Sequence, residues 1–252
     1  KIGLGDRLYH CWKNNGHGSM NVSDAIKESC DVFFYEISKK IGIDKIARVA
    51  EDFGLGKIYD VPLPNQKKGI IPSRDWKKKK YDESWYPGET LISAIGQGFV
   101  LTNPLQLAVM TSIIASNGKN VKPNIIKQKN DIKFEKLEKY QNAIKIIKNS
   151  MFKVVNDNKG TAYNSRSETA PFAGKTGTSQ VRRITVAERE SEDFRKKEVE
   201  WKKRDHALFV GYMPVENPRY AVSVVIEHGG SGASTAAPIA KEIFQFTKKL
   251  ET

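Results

Sequence analysis

Long apolar runs are missing from this sequence of 252 residues. Nothing approaches the ~18–20 consecutive apolar residues that a membrane-crossing helix needs. The nearest candidates, Leu105–Ile114 and Tyr220–Ile226, are too short or too polar. No secretory apolar segment is present, and the first residue is Lys1 rather than Met. Such an internal start suggests a processed product or a fragment of a longer polypeptide. Cysteine occurs twice and histidine four times. Internal repeats, low-complexity tracts and zinc-finger, RNP or homeodomain patterns do not occur.

What is present suffices for a core. The chain is 39% hydrophobic, 28% charged and 10% aromatic, which rules out wholesale disorder and leaves room for one large domain or two small ones. Lysine and arginine number 42 against 29 acids, a formal net charge of +13. The excess is scattered over Lys77–Lys80, Lys119 to Lys148 and Arg195 to Arg204. The last run is interleaved with Glu188, Glu190, Glu192, Asp193, Glu198 and Glu200, the pattern of a solvated charged segment. Aromatics do not alternate with these cations as a stacking platform for single strands requires, so nucleic acid is not the expected partner. The charge reads as solvated surface.

Periodicity predicts helices first and strands later. Asn21–Lys40 keeps an apolar stripe (Val22, Ala25, Ile26, Val32, Phe33, Tyr35, Ile37) until Gly42 stops it. Asp44–Phe53 is a second helix, and Ile58–Asp75, with Pro62, Pro64, Gly69 and Pro72, is a loop. Asn103 is the N-cap and Pro104 the first helical residue of a helix reaching about Ser116. Lys136–Asn156 is another helix. Ala173–Val181, His206–Met213 and Tyr220–His228 are strands, the last two joined at Glu216-Asn217-Pro218. Ala237–Leu250 is a helix with Ile239, Ile243, Phe244 and Phe246 on its apolar side. The fold class is α/β in the broad sense (α+β), an antiparallel sheet flanked by helices. A helical region covers about residues 1–160, and strands with a packing helix cover about 170–252.

Lys175-Thr176-Gly177-Thr178 carries the sharpest chemistry. A lysine within an apolar strand projects an ammonium over the sheet, Gly177 admits a ligand close to the backbone, and Thr176 and Thr178 offer hydroxyls to a carboxylate. Alone, the tripeptide is also what an exposed edge strand would show. It belongs, however, to a signature of serine acyl-transfer enzymes together with S-x-x-K and S-D-N. Ser29-Cys30-Asp31 supplies a variant of the latter, within the first long helix or on a short break between two helices.

Together these and other motifs decide. The chain resembles the transpeptidase domain of class B penicillin-binding proteins, and within that family the cell-elongation branch. The residues carrying the resemblance include Gly16-His17-Gly18, Glu28-Ser29-Cys30-Asp31 and Ile70-Ile71-Pro72-Ser73-Arg74-Asp75-Trp76. Trp85-Tyr86-Pro87-Gly88-Glu89-Thr90, Ile95-Gly96-Gln97-Gly98, Thr102-Asn103-Pro104-Leu105-Gln106, the run from Lys175 to Val181, and Glu227-His228-Gly229-Gly230 continue it in colinear order. The resemblance implies the penicillin-binding protein/serine β-lactamase fold and peptidoglycan D,D-transpeptidation, with stem peptides as substrates and β-lactams as mimics. It also implies catalytic roles for Lys175, Ser29 and Asp31 and substrate binding by Thr176, Gly177 and Thr178. Asp31 stands where the family usually has Asn, a departure the elongation branch shares. A membrane anchor, a periplasmic location, and a membrane-embedded glycosyltransferase partner in the rod complex belong to the family's N-terminal part.

The family's nucleophile is a serine in S-x-x-K some way before the S-x-D motif, and residues 1–28 contain none. Ser116-Asn117-Gly118-Lys119 straddles a helix end, and Ser150-Met151-Phe152-Lys153 falls between the second and third motifs, so neither is accepted. The expectation is that the serine lies upstream of Lys1. A serine β-lactamase and a non-catalytic penicillin-binding sensor remain the alternatives. Cys11, His17 and Cys30 have two readings, a disulfide or three zinc ligands with a fourth wanting, for which Asp6 is a weak substitute. The resemblance implies zinc, in a structural role that pins the second motif.

Overall fold

A computed structural model of the protein describes residues 1–126, 134–182 and 199–250. An N-terminal hairpin pairs β1 (Ile2–Leu4) with β2 (Arg7–Tyr9) around Gly5 and Asp6. Helices follow: α1 (Val22–Lys27), α2 (Asp31–Ile41), α3 (Ile43–Asp52), α4 (Arg74–Tyr81), α5 (Pro87–Ala94), α6 (Pro104–Ala115) and α7 (Gln141–Asn156). The antiparallel sheet then comes in sequence order, β3 (Ala173–Ser179), β4 (His206–Met213) and β5 (Tyr220–Ile226), with β4 in the centre. A π-helical turn, Gly232–Ala236, leads into α8 (Ala237–Lys249).

Local chemistry explains the helix starts. Asn21, Ser73 and Asn103 each accept a hydrogen bond from the backbone N–H three residues on, satisfying a donor that the first helical turn leaves open. Pro87 and Pro104 open α5 and α6, where a missing N–H costs nothing. The central strand β4 is buried on both faces. Ala207, Phe209 and Met213 of β4 join Ala237, Ala240 and Phe244 of α8 in one apolar layer. Tyr212, on the opposite face, joins Val109 and Ile113 of α6 and Ile144 and Met151 of α7. The alternation of a strand makes this possible.

Several expectations are corrected. The Asn21–Lys40 helix is two helices broken at Glu28-Ser29-Cys30, the second of the two arrangements foreseen. Of the run Lys77–Lys80, Lys77 is buried at 2% exposure. Its ammonium lies 2.6 Å from Glu89 Oε1 and 3.4 Å from Glu83 Oε2, so this lysine is an internal ion pair rather than solvated surface. On α8, Ile239, Ile243 and Phe246 are exposed and only Phe244 of the expected stripe is buried. Small residues at 237 and 240 form the inward face, letting the helix approach the sheet closely. The hairpin, α4 and α5 had no counterpart in the periodicity, and Arg74 starts α4 inside the expected loop. Glu188, Glu190, Glu192, Asp193 and Glu198 lie outside the described residues.

Gln106 shows how the loop before α4 is held. Fully buried on α6, it donates from Nε2 to the carbonyls of Lys57 (2.6 Å) and Lys68 (2.9 Å) and accepts at Oε1 from Gly56 N–H (3.4 Å). Replacing Gln106 with Leu keeps the volume and strips both carbonyls of their donor. A stability loss of about 2–4 kcal/mol is expected from two unsatisfied groups. Urea denaturation reads it; a loss below about 1 kcal/mol would remove Gln106 from this role.

Candidate active site and adjoining thiol–imidazole cluster

The break between α1 and α2 is built to present Ser29. α1 ends at Glu28, and Ser29 adopts the left-handed backbone (φ 54°) that side-chain-bearing residues seldom adopt. Cys30 N–H returns to the Ala25 carbonyl at 2.9 Å, closing the turn, and Cys30 then stands at the N-cap position of α2 without a side-chain cap bond. Trp12 holds the turn from outside. Its indole N–H is shared by the carbonyls of Ser29 (2.9 Å) and Glu28 (3.1 Å), and its backbone N–H donates to Asp31 Oδ2 at 2.9 Å. One residue thus fixes both ends of the Ser29-Cys30-Asp31 motif.

Opposite this turn runs β3. Lys175 reaches from it so that Nζ lies 2.5 Å from Ser29 Oγ, between residues 146 apart in the chain. Nζ also donates to the Thr176 carbonyl at 2.8 Å. The ammonium is walled in, and burial lowers its pKa from 10.5 to about 8, with Asp31 opposing the shift. Lys175 is therefore mainly protonated at pH 7 and loses its charge within reach of physiological conditions. Burial pushes the Asp31 carboxyl upward, while the Trp12 N–H, the Cys11 thiol and the Lys175 cation pull it back.

The threonines of β3 divide. Thr176 Oγ1 lies 2.8 Å from Thr161 Oγ1, so its hydroxyl is engaged by the segment after α7. Thr178 is exposed, and its hydroxyl accepts from Gly232 N–H at 3.5 Å. The backbone that comes closest to Gly177 is the chain's own: a side chain on Gly232 would collide with the carbonyls of Gly177 and Leu208. The third wall is the Gly96-Gln97-Gly98 loop, whose Gln97 Nε2 donates to the Thr178 carbonyl at 2.8 Å. Ser150 is not part of the cleft. It is fully buried on α7, donating to the Ile146 carbonyl and standing 3.1 Å from Ser23 Oγ. The Ser116 hydroxyl turns back to the Ile113 carbonyl at the end of its own helix.

Beside the turn, Cys11, His17 and Cys30 bring their ligand atoms within 4.8 Å of one another. Both cysteines are free and buried, so the disulfide alternative is not the arrangement present. His17 Nδ1 lies 3.5 Å from Cys11 Sγ, while His17 Nε2 is buried without a hydrogen-bond partner. Two thiols and an imidazole with an orphaned nitrogen form a soft donor set that fits a zinc ion. Asp6, exposed on the β1–β2 turn, is outside this cluster. Trp12, Gln97 and Thr161 had no assigned role in the sequence reading. An aromatic beside Cys11 and a glutamine between two glycines were the available signals for the first two; Thr161 offered none.

Comparison with known proteins places the chain in a family. A family model, the penicillin binding protein transpeptidase domain, matches residues 2–245. The peptidoglycan D,D-transpeptidase MrdA of Haemophilus influenzae is 34% identical over 254 residues, covering 95% of this chain and 38% of that protein. MrdA of Escherichia coli K12 is 29% identical over 239 residues, covering 90% of this chain and 37% of its own length. Among solved structures, the Helicobacter pylori penicillin-binding protein 2 (PBP2) in complex with MreC superposes with a TM-score of 0.87 at 33% identity, covering 99% of this chain and 44% of that one. Pseudomonas aeruginosa PBP2 in complex with WCK 5153 gives 0.82 at 32% identity, covering 98% and 53%. The chain thus spans about two fifths of the length of the curated relatives it matches.

The lowered pKa of Lys175 makes a stability prediction. The folded-state value lies below the unfolded one, so a buried-charge penalty is fully present below pH 8 and disappears as pH rises toward 10.5. Lys175→Met removes it. The stability of the native protein relative to this variant is expected to rise by roughly 3 kcal/mol across that window. Urea denaturation at several pH values measures the difference; a constant offset would show that the ammonium is not desolvated.

Proposed function

The chain belongs to the penicillin-binding protein transpeptidase family, in its PBP2 (MrdA) branch, and we propose that the protein it represents is a peptidoglycan D,D-transpeptidase of cell-wall elongation. The observation carrying this reading is the contact between Lys175 and Ser29, which joins the K-T-G strand to the S-x-D turn.

In this mechanism a serine of an S-x-x-K motif upstream of Lys1 attacks the penultimate carbonyl of a D-Ala-D-Ala stem peptide. An ester forms, the peptide bond breaks, and the departing D-Ala takes a proton on its amine. An amine of a neighbouring strand then displaces the serine. Ser29 and Lys175 form the proton path beside the nucleophile, and the Lys175 cation pairs with the substrate's terminal carboxylate. The Thr178 hydroxyl adds a hydrogen bond to that carboxylate, and Thr178 N–H donates to the developing oxyanion. Thr176 supports the strand through Thr161, and Gly177 gives the strand a position without a side chain. Asp31 accepts from a substrate amide. β-Lactams acylate the same serine.

Cys11, His17 and Cys30 would hold a structural zinc ion, with a fourth ligand from outside these residues. Bound zinc supplies a fixed crosslink and no chemistry to the transferred group. Cys30 lies inside the Ser29-Cys30-Asp31 turn, so its ligation would fix that turn. No helix among the described residues is long and apolar enough to cross a membrane. We place the domain on the periplasmic side of the inner membrane, anchored by preceding sequence. By the same reading its partners are MreC, as in the H. pylori complex, and a membrane-embedded glycosyltransferase.

The test is acylation by a fluorescent penicillin, read on a denaturing gel, for residues 1–252 and for a chain extended upstream through S-x-x-K. Labelling of the extended chain alone is expected, and Lys175→Ala should slow it about 100-fold or more. The rate should also fall as pH rises through about 8, where Lys175 loses its charge, and this limb should vanish in Lys175→Arg. Labelling of the short chain would refute the upstream nucleophile. Absence of labelling in both, with both folded, would favour a binding module instead.

For the metal, the extended chain should purify with about one zinc per molecule. Chelation should lower its melting temperature, and Cys30→Ser should lose the ion. A folded protein that neither carries nor takes up zinc would refute the site.

A further inference from the structure

Among the described residues β3 is an outer strand, paired only to β4. The N–H and C=O groups of alternate residues in a strand address the same edge. On the edge away from β4, three such groups are engaged. The Thr176 carbonyl accepts from Lys175 Nζ at 2.8 Å, the Thr178 carbonyl from Gln97 Nε2 at 2.8 Å, and Gln180 N–H donates to Gln97 Oε1 at 3.3 Å. A single carboxamide therefore serves a carbonyl and the N–H two residues further on. It satisfies the edge much as a neighbouring strand would.

A peptide that adds to this edge as a strand needs those same groups. The Lys175 ammonium sits at the Thr176 carbonyl, and the Thr178 carbonyl lies two residues on, about 7 Å along the strand, so an extended ligand with its carboxylate at Lys175 brings the second amide N–H behind that carboxylate near the Thr178 carbonyl. Gln97 and an incoming peptide backbone then compete for one acceptor. The rest of the loop favours movement of the side chain alone. Gln97 N–H is tied to the Ile92 carbonyl at 3.1 Å, which anchors the backbone to the end of α5. Gly96 and Gly98 on either side are exposed, with left-handed φ of 75° and 71°, and a Cβ at Gly96 would meet nothing within 4 Å. The loop is open on the Gly96 side, while a Cβ at Gly98 would press on Ile92 at 3.0 Å. Its bonds to β3 are solvent-exposed and correspondingly weak.

We propose that Gln97 is a side-chain gate on the peptide-binding edge of β3, covering the Thr178 carbonyl in the free protein and displaced by the backbone N–H of an incoming acyl peptide. The gate selects ligands: one that brings an amide N–H to Thr178 replaces the bond it breaks, and one without such a donor does not. This inference rests on the transpeptidase reading above.

The experiment uses the full-length chain, native and as Gln97→Ala and Gln97→Glu. The concentration dependence of acylation separates the binding constant from the acylation rate constant. Two probes are compared, a penicillin with an acylamino side chain and a penam lacking one, the latter followed by competition. For the acylamino penicillin the apparent dissociation constant should fall about three- to tenfold in both variants, the worth of one released hydrogen bond, with the acylation rate constant unchanged. Glutamate at 97 cannot donate to the Thr178 carbonyl and so opens the gate as alanine does. For the penam lacking the side chain, neither constant should move. Weaker or unchanged binding of the acylamino probe, or an equal shift for both probes, would overturn the gate while leaving the transpeptidase intact. Failure of the native chain to acylate at all would remove the transpeptidase reading and the gate with it.

Discussion

Lys175 carries its ammonium out of water onto a strand that faces a cleft, and much of the surrounding structure answers to the cost of doing so. Burial lowers its pKa and Asp31 raises it, the balance falling at about 8. The charge persists at neutral pH because the Ser29 hydroxyl and the Thr176 carbonyl accept from it and Asp31 lies close enough to oppose the shift. Each of these must be held still for the arrangement to work. β3 does this on one side through its ladder to β4, which is buried on both faces. The turn between α1 and α2 does it on the other.

That turn is an unusual place for a serine. Its left-handed backbone is unfavourable for any residue with a side chain, and such conformations persist where surrounding contacts over-determine them. Here the Trp12 indole takes two carbonyls, its backbone takes Asp31, and the closing bond from Cys30 to Ala25 completes the turn. The thiol–imidazole cluster lies directly behind, sharing Cys30 with the motif. Electrostatics and anchoring therefore meet in three consecutive residues.

Some of this was legible beforehand. Asn103 and Pro104 mark the start of α6 because capping is a local contest between one side chain and the next turn's N–H groups. β4 matches its sequence-derived bounds, since alternating burial leaves a period-two trace. The active-site motifs were readable as residue types in order. Lys77 was not readable as buried, because a lysine in a run of four gives no sign of the carboxylates of Glu83 and Glu89 beyond it. The stripe on α8 misled for a related reason: Ala237 and Ala240 face inward, and small size rather than hydrophobicity decides which face approaches a sheet.

By itself, then, the sequence determined the Asn103-Pro104 helix start, the three strands of the larger sheet and the identity of the K-T-G and S-x-D residues, all properties set within a few residues of chain. Tertiary structure alone decided that Lys175 meets Ser29, that Gln97 covers Thr178, and that Thr161 occupies the Thr176 hydroxyl. Those contacts join groups brought together only when the sheet, the broken helix and the loop pack against one another. Residue type and periodicity report how each segment is buried, and carry no information about which distant side chain will stand opposite.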